Sequence, residues 1–408
     1  MRAITARLSV MMFLQFFIWG CWFVTLGTFL AANFQATGAQ TGLAFSTQSW
    51  GAIIAPFIIG LIADRYFNAE RILAVLHLIG AVLMYQMFRA QDFTQFYPYV
   101  LAYMIAYMPT LALVNSISFR QLTDPSRQFS LVRVWGTIGW IVAGLVISFV
   151  FHWDSQEAVA GGALRNTFLL GTVMSLLLAL FSLTLPATPP TVIKSGFSLR
   201  AALGLDALKL LRDRNFAVFF ISSVLICIPL AFYYQNASPF LTEIGTTNAT
   251  GKLTIGQMSE VVFMLLLPIF LLRFGIKKTL LVGMLAWAVR YALFAYGGPA
   301  NIATLLIIGI ALHGVCYDFF FVSGQIYTDS KAGEHYRSAA QGMITLATYG
   351  VGMLVGFSAA GAITDRFNAN GHHDWFQIWI YPAAFAALIL VLFAVLFRNE
   401  AISYQARR

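Results

Sequence analysis

The sequence predicts an all-α integral membrane protein with twelve transmembrane helices in two six-helix bundles. Three observations lead there. Of 408 residues, 59% are hydrophobic and only 10% charged, against roughly 25% charged residues in a soluble globular domain. Apolar stretches of the roughly 20 residues needed to cross a bilayer core recur near 8–31, 42–63, 72–89, 96–119, 125–150, 166–186, 215–242, 253–272, 279–297, 303–328, 338–363 and 375–397. The one long polar interruption, Pro186 to Asn215, leaves six stretches on each side.

The expected organisation is therefore a first bundle over 1–186, a linker over 187–214 and a second bundle over 215–408. Two related bundles with a solute site between them are a common transporter design. The net charge of +9 suggests a nucleic-acid partner only if the cations gather on one face, and they are spread over many short loops. Membrane topology explains them better. With both termini cytoplasmic, 19 of the 25 Lys and Arg lie in inner segments, four (Arg89, Arg165, Lys252 and Arg366) in outer ones, and Arg133 and Arg290 within helices. That bias follows the positive-inside rule.

The first span runs past the length of a secretory signal and carries no small-residue cleavage site, so it reads as a retained helix. It offers Gln15, Trp19 and Trp22, of which Gln15 suits a cavity or an interhelical hydrogen bond. The fourth span offers Tyr107, Pro109, Thr110 and Asn115, of which Asn115, like Gln15, suits a cavity or an interhelical hydrogen bond. Cys21, Cys227 and Cys316 fall inside spans at unrelated spacings, which fits packing rather than a disulfide or metal site.

Asp124 and Pro125 form an N-cap followed by proline, which starts the fifth helix there. Arg133 then lies about 12 Å into the membrane. Arg133, Thr137 and Trp140 are spaced i, i+4 and i+7, so a cation, a hydroxyl and a ring share one helix face. The bland alternative is an arginine reaching back to the headgroups. In the linker, Leu203, Leu205, Leu208 and Leu211 lie near one face, and Arg200, Lys209, Arg212 and Arg214 largely elsewhere, as in an amphipathic surface helix.

The seventh span carries Tyr233, Tyr234, Gln235 and Asn236 between Pro229 and Pro239, and two of these four are expected to face a cavity. In the eighth, Gln257 and Glu260 are one turn apart, with Gly256 and Ser259 permitting a close helix contact. The tenth carries His313, Tyr317 and Asp318, with His313 read as the one mid-span histidine. Charge at such depth costs about 2.5 to 3.5 kcal/mol per group on insertion scales and marks a solute or ion pathway. Burial and a neighbouring arginine act on a carboxylate in opposite senses, which suits a proton-coupling role for Glu260 and Asp318. The alternatives are a carboxylate permanently paired with Arg290 or Arg133, and a histidine that simply packs. No catalytic elbow, phosphate loop, zinc motif or paired-cysteine motif is present, so the reading is no enzyme and no cofactor.

Gly60, Asp64 and Arg65, followed by Arg71, resemble the Gly-x-x-x-Asp-Arg loop of the major facilitator superfamily, and Gly275 with Lys277 and Lys278 echoes it in the second half without the Asp. More specifically, FLQFFIWGCWFVTLGTFL, AYMPTLALVNSISF, RVWGTIGW, LGLDALKLL, GQMSE, RFGIKK, ALFAYG, YDFF and SAAQGM resemble the bacterial nucleoside:proton symporters of that superfamily. The resemblance implies uptake of a nucleoside with a proton across the bacterial inner membrane, by a protein expected to act as a monomer. It implies that Arg133, Thr137, Gln257, Glu260 and Asp318 surround the nucleoside, with Trp140 packing on it where the family has Phe. Departures fall at Ala231 and Tyr234, where the family has polar Gln and Asn, at His313 in place of a Tyr, and at Tyr317 in place of a Phe. The coupling residues are thus retained while the wall that reads the ligand is altered, and a sugar, polyol or modified nucleoside is the competing substrate class.

Overall fold

The computed structural model describes residues 2–58, 67–123, 125–189, 205–300, 302–369 and 371–400. The Gly60, Asp64 and Arg65 loop, Asp124, and Leu203 with the early linker lie outside the described residues. The helices are α1 (Arg2–Phe23), α2 (Leu26–Phe34), α3 (Gly38–Ile58), α4 (Ala69–Arg89), α5 (Phe93–Gln121), α6 (Pro125–Leu145), α7 (Gln156–Ala160), α8 (Asn166–Ser182), α9 (Arg214–Glu243), α10 (Ala249–Gly297), α11 (Ala303–Tyr317), α12 (Ser323–Thr345), α13 (Met353–Arg366) and α14 (Trp375–Leu396).

Among the described residues, ten helices are long and apolar enough to cross a membrane. One of them, α10, has 49 residues, about 74 Å at 1.5 Å per residue, which is two spans. It breaks at Gly275 (φ 73°, ψ 174°), a conformation essentially reserved for glycine. Gly333 (φ 62°) breaks α12 in the same way between the tenth and eleventh expected spans. With the 21-residue α3 counted, the tally is consistent with twelve. A minimal antiparallel hairpin, β1 (Asn368–Ala369) with β2 (His372–His373), is the one departure from all-α structure among the described residues. Of the expected amphipathic linker helix, Leu205–Arg212 is described and is 3₁₀-helical, with Ala207 buried and Leu205 and Leu208 exposed.

The chain divides into two compact units, Met1–Phe197 with Leu241–Thr254, and Ser198–Phe240 with Ile255–Arg408. The segment Leu241–Thr254 belongs with the first unit through hydrogen bonds. Asp154 accepts from the Thr250 backbone (2.9 Å) and from the Ser148 hydroxyl, Ser148 accepts from the Gly251 backbone (2.6 Å), and Gln156 donates to the Thr242 carbonyl (2.6 Å).

Within the first unit, helices meet where a glycine removes the side chain. Gly139 of α6 lies against the backbone of Phe13 in α1, Gly51 of α3 against Met104 in α5, and Gly171 of α8 against Met84 in α4. Within the second unit the same three pairings recur. Gly352 and Gly356, in and just before α13, pack on Val224 to Ala231 of α9; Gly314 of α11 packs on Ser259 and Glu260 of α10; and Tyr291 of α10 stacks on Trp379 of α14 at 5.6 Å. Close approach through small residues is how helices associate where lipid supplies no hydrophobic drive between them.

Three π-helical segments, Val146–Val150, Asp318–Val322 and Leu346–Gly352, interrupt long helices. Such segments concentrate at functional positions, and one begins at Asp318. A prediction follows from the packing. Gly139→Ala would drive a Cβ into the Phe13 backbone and should cost about 1–3 kcal/mol, whereas Gly342→Ala, with nothing within 4 Å of its added carbon, should not. Thermal unfolding of the two variants in detergent checks the contrast.

Candidate functional site

The expected site residues fall on both units, and each set is described within its own unit. In the first unit, Arg133, Thr137 and Trp140 are half-buried along α6. Arg133 lays its guanidinium over the Phe16 ring of α1, 4.1 Å from the centroid, a cation–π contact. Gly136, one turn short of Trp140, leaves the room for it, because a Cβ there would sit 2.7 Å from Arg133 Nη1. Trp140 packs edge-on to Trp19 at 5.5 Å and closes against Gly20. The i, i+4, i+7 stripe therefore stands beside α1, with Arg133 turned to an aromatic neighbour.

Behind the stripe lies a buried polar network. Gln15 Nε2 donates to Thr110 Oγ1 (2.7 Å), His77 Nε2 meets Gln15 Oε1 (2.8 Å), and Tyr107 Oη donates to the Gln15 carbonyl (2.6 Å). Gln15 is thus the interhelical hydrogen-bond group expected of it, joining α1, α4 and α5. His77 is a buried histidine within α4, so the reading of His313 as the one mid-span histidine is corrected. The estimated start of the third span at residue 72 left His77 near a helix end; α4 begins at Ala69.

In the second unit the structure brings Tyr234, Glu260, Tyr317 and Asp318 together. Glu260 lies within electrostatic reach of both Asp318 and Tyr234, and Tyr234 within reach of Tyr317. The contact that makes this possible is the close crossing of α10 and α11. The Gly314 backbone donates to Ser259 Oγ at 3.0 Å, and a Cβ on Gly256 would stand 3.1 Å from that of His313. The sequence reading of Gly256 and Ser259 as a close-contact pair holds. Gln257 and Glu260 are half-buried on that crossing helix.

Asp318 has 0% relative exposure, and both its carboxylate oxygens are buried without a hydrogen-bond partner. It faces the interior of its unit, not the acyl chains. Tyr317 hydrogen-bonds through its hydroxyl to the hydroxyl of Tyr349 at 2.7 Å. Tyr349 sits in the π segment Leu346–Gly352 and was not anticipated, since an aromatic inside a hydrophobic run carries no signal of its own.

Of the four polar residues on the seventh span, Tyr234 is half-buried while Tyr233, Gln235 and Asn236 are buried. Tyr233 lies under Arg290, whose Cζ is 3.6 Å from its ring centroid, and Asn236 accepts from Thr364 at 3.3 Å. Arg290 is fully buried and meets His313 Nδ1 at 2.9 Å through Nη1. The alternative in which Arg290 neutralises a membrane-embedded carboxylate is not what the structure holds, because no ion pair joins Arg290 to an acid among the described residues.

The profile of a family described as nucleoside H+ symporter matches residues 2–401. The chain is 44% identical over 404 residues to YegT of Escherichia coli strain K12, covering 97% of this chain and 94% of that one. It is 36% identical over 408 residues to the xanthosine permease of the same organism, covering 96% and 95% respectively. The crystal structure of the nucleoside transporter NupG superposes with a TM-score of 0.86 at 30% identity, over 97% of this chain and 100% of that one.

The polar network generates a prediction. Gln15→Leu removes the side-chain partner of His77 and the donor to Thr110, whose hydroxyl keeps its bond to the Tyr107 carbonyl, and it should lower stability by about 1–2 kcal/mol. Asn115→Leu, at a half-buried position outside that network, should cost less. Thermal melts of both variants in the same detergent give the comparison.

Proposed function

The chain belongs to the nucleoside H+ symporter family, and from that premise we propose that it carries a nucleoside inward across the bacterial cytoplasmic membrane together with a proton. The observation that carries this reading is Asp318. A carboxylate with no exposed surface and no hydrogen-bond partner for either oxygen has, among the described residues, no cation to neutralise it, and an isolated buried charge is very costly. A proton does what the missing cation would. Glu260 lies within electrostatic reach of Asp318, and a second negative charge nearby further favours a proton on the buried acid.

In this reading Arg133, Thr137, Gln257 and Glu260 hold the polar edges of the nucleoside. Trp140, Tyr234, His313 and Tyr317 supply the aromatic and hydrogen-bonding wall. Loading the acids with a proton removes the charge that opposes closing the site away from water. Releasing it on the far side restores that charge and lets the cargo go. The rocking of two bundles, 1–186 and 215–408, about a linker over 187–214 accounts for access from alternate faces. The distribution of Lys and Arg supports cytoplasmic termini. A monomer suffices, since each chain supplies both bundles.

With one proton per neutral nucleoside, a gradient of one pH unit supports about tenfold accumulation, because a unit corresponds to about 1.4 kcal/mol. Labelled uridine or adenosine should accumulate in proteoliposomes that are acidic outside, and a protonophore should abolish the accumulation. Uptake indifferent to the gradient removes proton coupling, and uptake of sugars or polyols in place of nucleosides removes the substrate class. Asp318→Asn should lose gradient-driven accumulation while keeping exchange of nucleoside for nucleoside. Full accumulation in that variant takes Asp318 out of the mechanism.

A further inference from the structure

Arg290 is absorbed by neither proton coupling nor the charge bias of the loops. It lies on the second half of α10, past the break at Gly275, with 0% relative exposure. Its guanidinium is held by rings, 3.6 Å from the centroid of Tyr233, with Phe294 at 5.6 Å and Trp287 at 5.9 Å. The one side-chain hydrogen bond it makes to a ring nitrogen is to His313 Nδ1, at 2.9 Å. His313 is 2% exposed, stacked on Tyr233 at 5.3 Å and tilted against Tyr317 at 5.9 Å.

The chemistry of this pair is asymmetric. A guanidinium has donors only and keeps its charge at every physiological pH. The nitrogen facing it must therefore be the acceptor, which places the ring proton of His313 on Nε2. The other charged groups near this ring are Glu260, one turn from the Gly256 that packs on His313, and Asp318, on the same helix as His313. The hydroxyls of Tyr233 and Tyr317 and the thiol of Cys316 are the remaining titratable groups around it. Of all these, Arg290 is the one hydrogen-bonded to the imidazole. A second proton on the ring could go only to Nδ1, where it would displace that hydrogen bond and leave two cations buried side by side. His313 is thereby separated from the proton pathway.

We propose that Arg290 is a positioning residue that fixes His313 as a hydrogen-bond donor through Nε2, and that this pair makes the site favour bases presenting a carbonyl oxygen over bases presenting an amino group. The inference rests on the reading above, in which His313 lines the nucleoside wall. A neutral partner such as Gln could turn its amide and let the imidazole switch tautomer, which would accept either kind of base edge. Arginine cannot accept, so the choice is made once, when the protein folds. Its charge also polarises the ring and strengthens the donor at Nε2.

The test uses matched nucleosides that differ at one such group, inosine against adenosine and uridine against cytidine, as competitors of labelled uptake by the full-length protein. The wild type should favour the carbonyl member of each pair by about tenfold, the scale of one hydrogen bond made against one left unmade in a buried site. In Arg290→Met the ratio should fall to near one, and because Arg290 has no acid partner among the described residues, the substitution strands no buried carboxylate. His313→Gln, whose amide can turn, should level the ratio too, which keeps the test open if the first variant does not fold. Nitrogen-15 NMR of the labelled wild type should show protonated Nε2 and bare Nδ1 for His313, picked out among six histidines by its loss in His313→Gln. A wild-type signal with the proton on Nδ1, or an unchanged ratio in both variants, overturns the proposal. A wild type that transports no nucleoside overturns the functional reading instead, and the NMR pattern still decides the tautomer.

Discussion

A carboxylate buried among apolar helices, with no cation among the described residues to neutralise it, is the constraint on which the rest of this molecule depends. Asp318 carries no exposed surface and neither of its carboxylate oxygens has a hydrogen-bond partner among the described residues, and an unpaired charge in such a place is not a stable arrangement. A purely structural position would be served as well by Asn. The acid is retained at the first residue of a π-helical segment, beside a second acid, Glu260, on a neighbouring helix. Asp318, with no cation paired to it among the described residues and Glu260 within electrostatic reach, is a group whose stable states differ by a proton.

The packing places the acids by removing side chains. Gly314 brings the backbones of α10 and α11 together at Ser259 and Glu260, and the Gly314 amide is tied to the Ser259 hydroxyl. A larger residue at that position would separate the two helices and, with them, the two acids. In the other unit, Gly136 leaves space for the Arg133 guanidinium, and Gly20 admits the Trp140 ring. The recurrence of the same helix pairings in both units means that each unit is built on the same frame. What differs is the chemistry: a cation over a phenyl ring in one, paired acids and tyrosine hydroxyls in the other.

Much of this was legible in the sequence because the membrane makes its demands uniform. Twenty-residue apolar runs, the charge bias of the loops and the glycine–serine pair at 256 and 259 follow from rules that hold wherever a helix meets lipid. Ionisable residues at mid-depth stand out by rarity, so Arg133, Glu260 and Asp318 could be named directly. Less legible were residues whose role depends on a partner distant in the chain. His77 joins Gln15 across 62 positions, and Arg290 meets His313 across 23. Tyr349 is one of 16 tyrosines and is distinguished by its partner Tyr317 alone. The π segments leave no trace in hydropathy, since one extra residue per turn changes which face a side chain takes and not how apolar it is.

The central claim is that cargo and proton move together because the Asp318–Glu260 pair links them. The most direct measurement is proton movement driven by the cargo itself, in proteoliposomes with no imposed gradient and a pH-sensitive dye inside. Adding uridine outside should acidify the interior in the wild type, and the signal should vanish in Asp318→Asn while that variant still equilibrates labelled uridine. An interior pH that stays flat during wild-type uridine entry, or a full acidification in the Asn variant, would contradict the account.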